Sequence, residues 1–162
     1  MSTDCIEKSV ELNAPLGRVW QAISNSTEFG LWFGVKFNGP FVSGESMKGV
    51  IVTTTVNDEV AAMQKPYEGM PFNIVVQQMV PEKLFSFRWH PYAIESDVDY
   101  SAEQTTLVEF NLEASENCVT LRLTECGFDT LPPERRAKAF AANDGGWTWQ
   151  MKLIEEYLRR VS

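Results

Sequence analysis

His90 is the only histidine in this 162-residue chain, so a paired-imidazole relay and a His-based metal cluster are both excluded. A lone imidazole, with a reference pKa of about 6.5, can still act as a general base. In "FRWHPY" it sits at the end of a strand pattern, where an exposed loop histidine is the plainer reading. The cysteines at 5, 118 and 126 form no CxxC pair, and zinc would need carboxylate co-ligands from scattered loops. Cys118 and Cys126 fall on one strand pattern, about 26 Å apart at about 3.3 Å per residue, so they cannot join each other. Reduced thiols in a cytoplasmic protein are the expectation. No GxSxG, GxGxxG or phosphate-cradling glycine run occurs, which leaves nucleophile-elbow hydrolysis and nucleotide folds without a signature. No catalytic residue, metal or cofactor is assigned.

What remains is aromatic and polar residues on faces that should point inward. In "KLFSFRWH", Phe85, Phe87 and Trp89 share one face of a strand, while Leu84, Ser86, Arg88 and His90 share the other. The aromatic set reads as inward and Arg88 as outer or rim. Val108, Phe110 and Leu112, and likewise Val119, Leu121 and Leu123, read as core-facing alternation. Near the C-terminus Phe140, Trp147, Met151, Ile154 and Leu158 lie within about 40° of one helical line. Leu153 and Tyr157 widen that stripe. Asn143 and Asp144 lie within about 60° of it, where an acid would orient a ligand hydroxyl or ammonium; a polar segment beyond the sheet edge is the competing reading. Gly145-Gly146 should each cost about 1 kcal/mol inside a helix. The expected reason is close approach of helix to sheet or loop, with Trp147 filling the gap beside them.

These residues need elements to hold them. "IEKSVELNA" alternates as a half-buried strand. "NAPLGRVWQAIS" follows as a short helix with Asn13 a candidate N-cap, and a second short helix starts at Ser26 or Thr27 and ends near Gly34. Strand patterns then run through "VKF", "MKGVIVTTTV", "FNIVVQQMV", "KLFSFRW", "TTLVEFNLEA" and "NCVTLRLTEC". The connection "NDEVAAMQKPYEGMP" has room for one helical turn, and "HPYAIESDVDYSAEQ" is a long acidic loop expected to be mobile. Thr130 is a candidate cap for the last helix, with Pro132-Pro133 in its first turn. A single domain over 1–162 is expected, of α+β class. About six to seven antiparallel strands curve around one long C-terminal helix, with two short helices after the first strand. Sheet and helix should enclose apolar room.

Composition limits the partners. The net charge of -8 argues against a phosphate backbone, which requires Lys and Arg, and against anionic membrane surfaces. No apolar run approaches the ~20 residues of a membrane span, and no secretory signal is visible at the start.

Taken in order, "SVELNAPLGRVWQAIS", "LWFG", "MVPEKLFSFRW", "LTECGF" and "GGWTWQMKLIEEYL" resemble the START-related helix-grip (SRPBCC) superfamily. More narrowly they resemble the AHSA-type domain family, named for the activator of the heat-shock-protein-90 ATPase. That family spans co-chaperone domains, small-molecule binders and polyketide cyclase relatives. The resemblance thus implies a fold and a stress-related role, not a reaction. The main expectation is binding of a small hydrophobic molecule in a cavity lined by Trp32, Phe33, Phe72, Phe87, Trp89, Phe110, Asp144, Trp147 and Met151. The alternatives are a co-chaperone module, which the family name implies, and a cyclase- or hydrolase-like enzyme using His90 or a cavity acid. A monomer or homodimer is expected.

Overall fold

The computed structural model describes residues 4–92 and 99–161. Part of the expected acidic loop, residues 93–98, therefore lies outside the described residues. Strand β1 (Cys5–Leu12) leads into helices α1 (Leu16–Ser24) and α2 (Ser26–Phe33). Then come β2 (Val35–Phe37), β3 (Ser46–Ile51), α3 (Asp58–Gln64), β4 (Pro71–Val80), β5 (Leu84–Trp89), β6 (Thr106–Ala114), β7 (Val119–Cys126) and α4 (Pro133–Val161). The strands form one antiparallel sheet in the order β1-β7-β6-β5-β4-β3-β2. Only the first strand leaves its sequence neighbours, to pair with β7. The curved sheet gripping a long helix, read from element order, is present.

The local chemistry explains most boundaries. Asn25 caps α2 by accepting the Glu28 N–H at 3.0 Å, and Asn57 caps α3 by accepting that of Val60 at 3.0 Å. Helix α2 stops on Gly34, whose φ of 97° suits glycine. Two expected caps are not used. Helix α1 opens at Leu16 after Pro15, with no side-chain cap and without Asn13. Thr130 lies in a short 3₁₀ turn, its hydroxyl donating to the Gly127 carbonyl at 2.6 Å, three residues ahead of the Pro133 start of α4.

Helix α4 lays Ala139, Trp147, Met151, Leu153, Ile154, Tyr157 and Leu158 onto the concave face, all buried. Phe85, Phe87, Val108, Phe110, Leu121 and Leu123 meet them from the sheet, also buried. The inward and outward assignments on β5, β6 and β7 hold because strand alternation leaves one choice once the apolar set is known.

Two expectations fail. Cys5 and Cys126 face each other in the β1–β7 register and are disulfide-bonded, leaving only Cys118 free. The reduced-thiol reading tested only pairs on one strand pattern, whereas this pair is separated by 121 positions in sequence. Gly145 and Gly146 are exposed, and a Cβ at either would meet nothing within 4 Å. No close approach explains them: the pair lies on the outer face of α4, one step before the buried Trp147.

Candidate functional site

Carried two residues beyond Leu123, the alternation of β7 turns Glu125 inward. The side chain is 0% exposed. Strand register brings it its neighbours: Trp89 lies opposite Thr106, and Val108 opposite Glu125, so β5, β6 and β7 present Trp89, Thr106 and Glu125 at one end of the concave face. Asn143 and Trp147, one turn apart on α4, reach down from above. Trp89 Nε1 donates to Glu125 Oε2 at 2.7 Å and the Thr106 hydroxyl donates to the same oxygen at 2.6 Å. Trp147 Nε1 donates to Oε1 at 2.8 Å, and Asn143 Nδ2 lies 3.0 and 3.2 Å from the two oxygens. All four partners are neutral donors. Among the described residues no cation contacts this carboxylate.

The rest of the palm is aromatic and closed. Phe29 stacks on Phe33 at 4.9 Å, Phe41 on Phe85 at 5.0 Å, and Phe85 lies 6.2 Å from Phe110. Nearer Glu125, Trp89 stands 5.4 Å from Phe72 and from Phe87, 6.3 Å from Phe33 and 5.7 Å from Trp147. These are contact separations for aromatic rings. The apolar room expected between sheet and helix is therefore filled by the residues that were to line it. Large side chains on both faces meet in the middle, which a list of inward positions does not reveal.

Of the expected lining, Phe33, Phe72, Phe87, Trp89, Phe110 and Trp147 do come together. Trp32 is fully buried but points its indole N–H at the Ala22 carbonyl, 2.9 Å away, tying α2 to α1. Asp144 turns away from the palm to pair with Lys8 Nζ at 2.9 Å. Met151 is buried and also borders a small groove of about 230 Å³ beside Lys8, Val10 and Lys152. His90 stays in its loop, Nε2 3.1 Å from the Glu103 carbonyl.

Arg135 was not anticipated either. It pins the loop after β5 to the start of α4, with Nε 2.9 and 3.0 Å from the Glu103 carboxylate oxygens and Nη1 and Nη2 donating to the carbonyls of Tyr92 and Pro91 at 3.0 and 2.9 Å. Its guanidinium also lies over the Tyr100 ring at 4.7 Å. Fork geometry of this kind is specific to arginine. Among the described residues no group of three or more His, Cys, Asp or Glu is placed to hold a metal. Among the described residues no helix is long and apolar enough to cross a membrane.

The family model described as Activator of Hsp90 ATPase homolog 1-like protein matches residues 13–159. No curated protein matches the chain in sequence. Among solved structures it is similar to MLL2253 from Mesorhizobium loti, with 16% identity, TM-score 0.71 and 98% of each chain covered. It is also similar to the Aha1 dimer from Colwellia psychrerythraea, with 16% identity, TM-score 0.65 and 95% of each chain covered. DynU16, from the dynemicin biosynthetic locus, aligns at 19% identity and TM-score 0.66 over 96% of this chain, which spans 47% of DynU16. At these identities the likeness is one of fold.

Proposed function

The chain belongs to the activator of Hsp90 ATPase homolog 1-like family, and we propose that it binds a small apolar molecule carrying a hydrogen-bond donor at the Glu125 end of the palm. One observation carries the reading: a fully buried carboxylate clasped by Trp89, Thr106, Asn143 and Trp147. Burying a charge costs several kcal/mol even after relaxation, and apolar side chains at all five positions of the clasp would fill the same space without that cost. The acid is the acceptor its four donors need, but packing gives no reason for the clasp as a whole, whereas recognition does.

The expected preformed chamber is replaced by a site that opens as rings move. Trp89, Phe72 and Asn143 are only partly buried, unlike Glu125, Phe87 and Phe110, so they are the members free to give way. Nile red, a neutral probe, tests the site: it should quench tryptophan emission and be displaced by whatever co-purifies, as read by native mass spectrometry. Absence of both quenching and a co-purified molecule would overturn the proposal.

A chaperone partner and a stress-related role form a second reading, favoured by the family match and by the Aha1 dimer as a structural neighbour. Retention of a heat-shock-protein-90 chaperone on the immobilised chain would support it, and failure to change that chaperone's ATP turnover would remove it. A cytoplasmic location belongs to the same proposal, and Cys5–Cys126 tests it. Disulfides persist in oxidising compartments, so the Cys5–Cys126 bond counts against that location, and only alkylation of Cys5 and Cys126 beside Cys118 in unbroken cells would sustain it. Labelling of Cys118 alone would place the chain elsewhere.

A further inference from the structure

We infer that the ligand is an arylalkyl ammonium ion, whose ring replaces the Trp89 indole and whose charged nitrogen donates to Glu125; this rests on the binding site proposed above. The Trp89 side chain already has the form of such a ligand. It is an aromatic body packed on Phe72, Phe87 and Trp147, with one N–H aimed at Glu125 Oε2 from 2.7 Å. It is also the clasp's only indole that is not fully enclosed, since Trp147 is 2% exposed while Trp89 is partly exposed at the end of β5. A molecule of the same outline can occupy its place when it turns outward.

The charge follows from what the clasp lacks. Each of the four donors is neutral, so a ligand hydroxyl replacing the Trp89 N–H exchanges one neutral hydrogen bond for another and gains little. An ammonium supplies the one thing absent, a positive charge beside a buried carboxylate. Charge-assisted hydrogen bonds are roughly twice as strong as neutral ones. A carboxylate ligand would meet Glu125 with like charge and no compensating group.

Isothermal titration of the full chain with phenethylamine, phenylethanol and phenylpropionate, alongside Nile red quenching, tests this. Salt near 0.5 M, where the Debye length is only a few ångströms, suppresses diffuse attraction to the net charge of -8. The expected order is phenethylamine at least tenfold tighter than phenylethanol, with phenylpropionate weakest. Trp89→Ala should bind the amine more tightly than the natural chain because it removes the internal competitor; a merely structural tryptophan would give the opposite. Glu125→Gln should abolish the advantage of amine over alcohol. Equal affinity for phenethylamine and phenylethanol in the natural chain, with Nile red still bound, would overturn the inference and leave the site standing. Failure of all three compounds together with Nile red would remove both. The natural-chain comparison needs no variant, so a Trp89→Ala or Glu125→Gln protein that does not fold leaves the test intact.

Discussion

The two ends of the palm are built on different physics although the same sheet and helix supply both. At one end Phe29, Phe41, Phe85 and Phe110 pack ring on ring with no polar atom among their side chains. At the other, two indoles turn their N–H groups toward one acid. The apolar end gains from every ring it buries and asks only for shape. The polar end gains nothing from burial unless every donor and acceptor is met. Stability therefore comes chiefly from the first, and chemical discrimination from the second.

Truncation should separate the two most strongly. Phe29→Ala removes a fully buried ring that touches Trp32, Phe33, Phe41 and Phe87, and about 3–5 kcal/mol of unfolding free energy should go with it. A urea denaturation midpoint little changed from the natural chain would show that the ring cluster is not the core it resembles.

Glu125→Ala should cost somewhat less, about 2–4 kcal/mol, because it leaves the Trp89, Thr106, Asn143 and Trp147 donors without their acceptor. The sharper experiment removes the clasp entirely, with Glu125→Met, Trp89→Phe, Thr106→Val, Asn143→Leu and Trp147→Phe combined. Replacing a buried charged network by apolar groups is often neutral or stabilising, so most of the lost stability should return while ligand binding does not. If neither returned, the clasp would be part of the fold rather than a site within it.

At the polar end itself, between Asn143 and Trp147, Gly145 and Gly146 weaken α4. Alanine at either position has free space outside the helix, so each change should add about 1 kcal/mol, measured as a raised thermal midpoint. If loosening here lets Trp147 and Asn143 give way to a ligand, the doubly substituted protein should also bind Nile red more slowly. Stability gained with unchanged association would mean that the glycines serve neither packing nor opening.

Of the apolar end the sequence pattern reached Phe85 and Phe110 but not Phe29 or Phe41, and of the polar end Trp89, Asn143 and Trp147 but not Thr106 or Glu125, for reasons that these residues illustrate. Phe85, Phe87 and Trp89 alternate with Ser86 and Arg88, so the inward face could be read directly. On β7 the same rule reached Leu123 and stopped, because an acid looks like the end of a core; one more step would have found Glu125. Asn143 and Asp144 were both eligible by helical angle, and the structure turns Asn143 to Glu125 and Asp144 to Lys8. The Cys5–Cys126 bond and the closure of the chamber depend on strand register between distant segments and on three-dimensional filling. Neither leaves a local trace.

The smallest expected effect concerns a second carboxylate, Glu28, which has the cation that Glu125 lacks. Arg18 Nη2 lies 2.8 Å from Glu28 Oε1, and the Tyr157 hydroxyl donates to that same oxygen at 2.7 Å, joining α1, α2 and α4. Burial first, and the hydrogen bond to Glu28 second, push the phenol of Tyr157 above its ordinary value near 10. The unfolded chain thus loses this proton at a pH where the folded chain still holds it, so unfolding releases a proton in that window. Stability from this contact is full below about pH 10 and declines as pH rises through the folded value. At neutral pH Tyr157→Phe should cost about 1 kcal/mol, and above pH 10 the gap between the two proteins should narrow. Urea midpoints measured from pH 8 to 11 check it: parallel curves would mean the phenol is not held by Glu28. Such a result would leave Arg18 as the acid's only partner and sharpen the contrast with the cation-free clasp at Glu125.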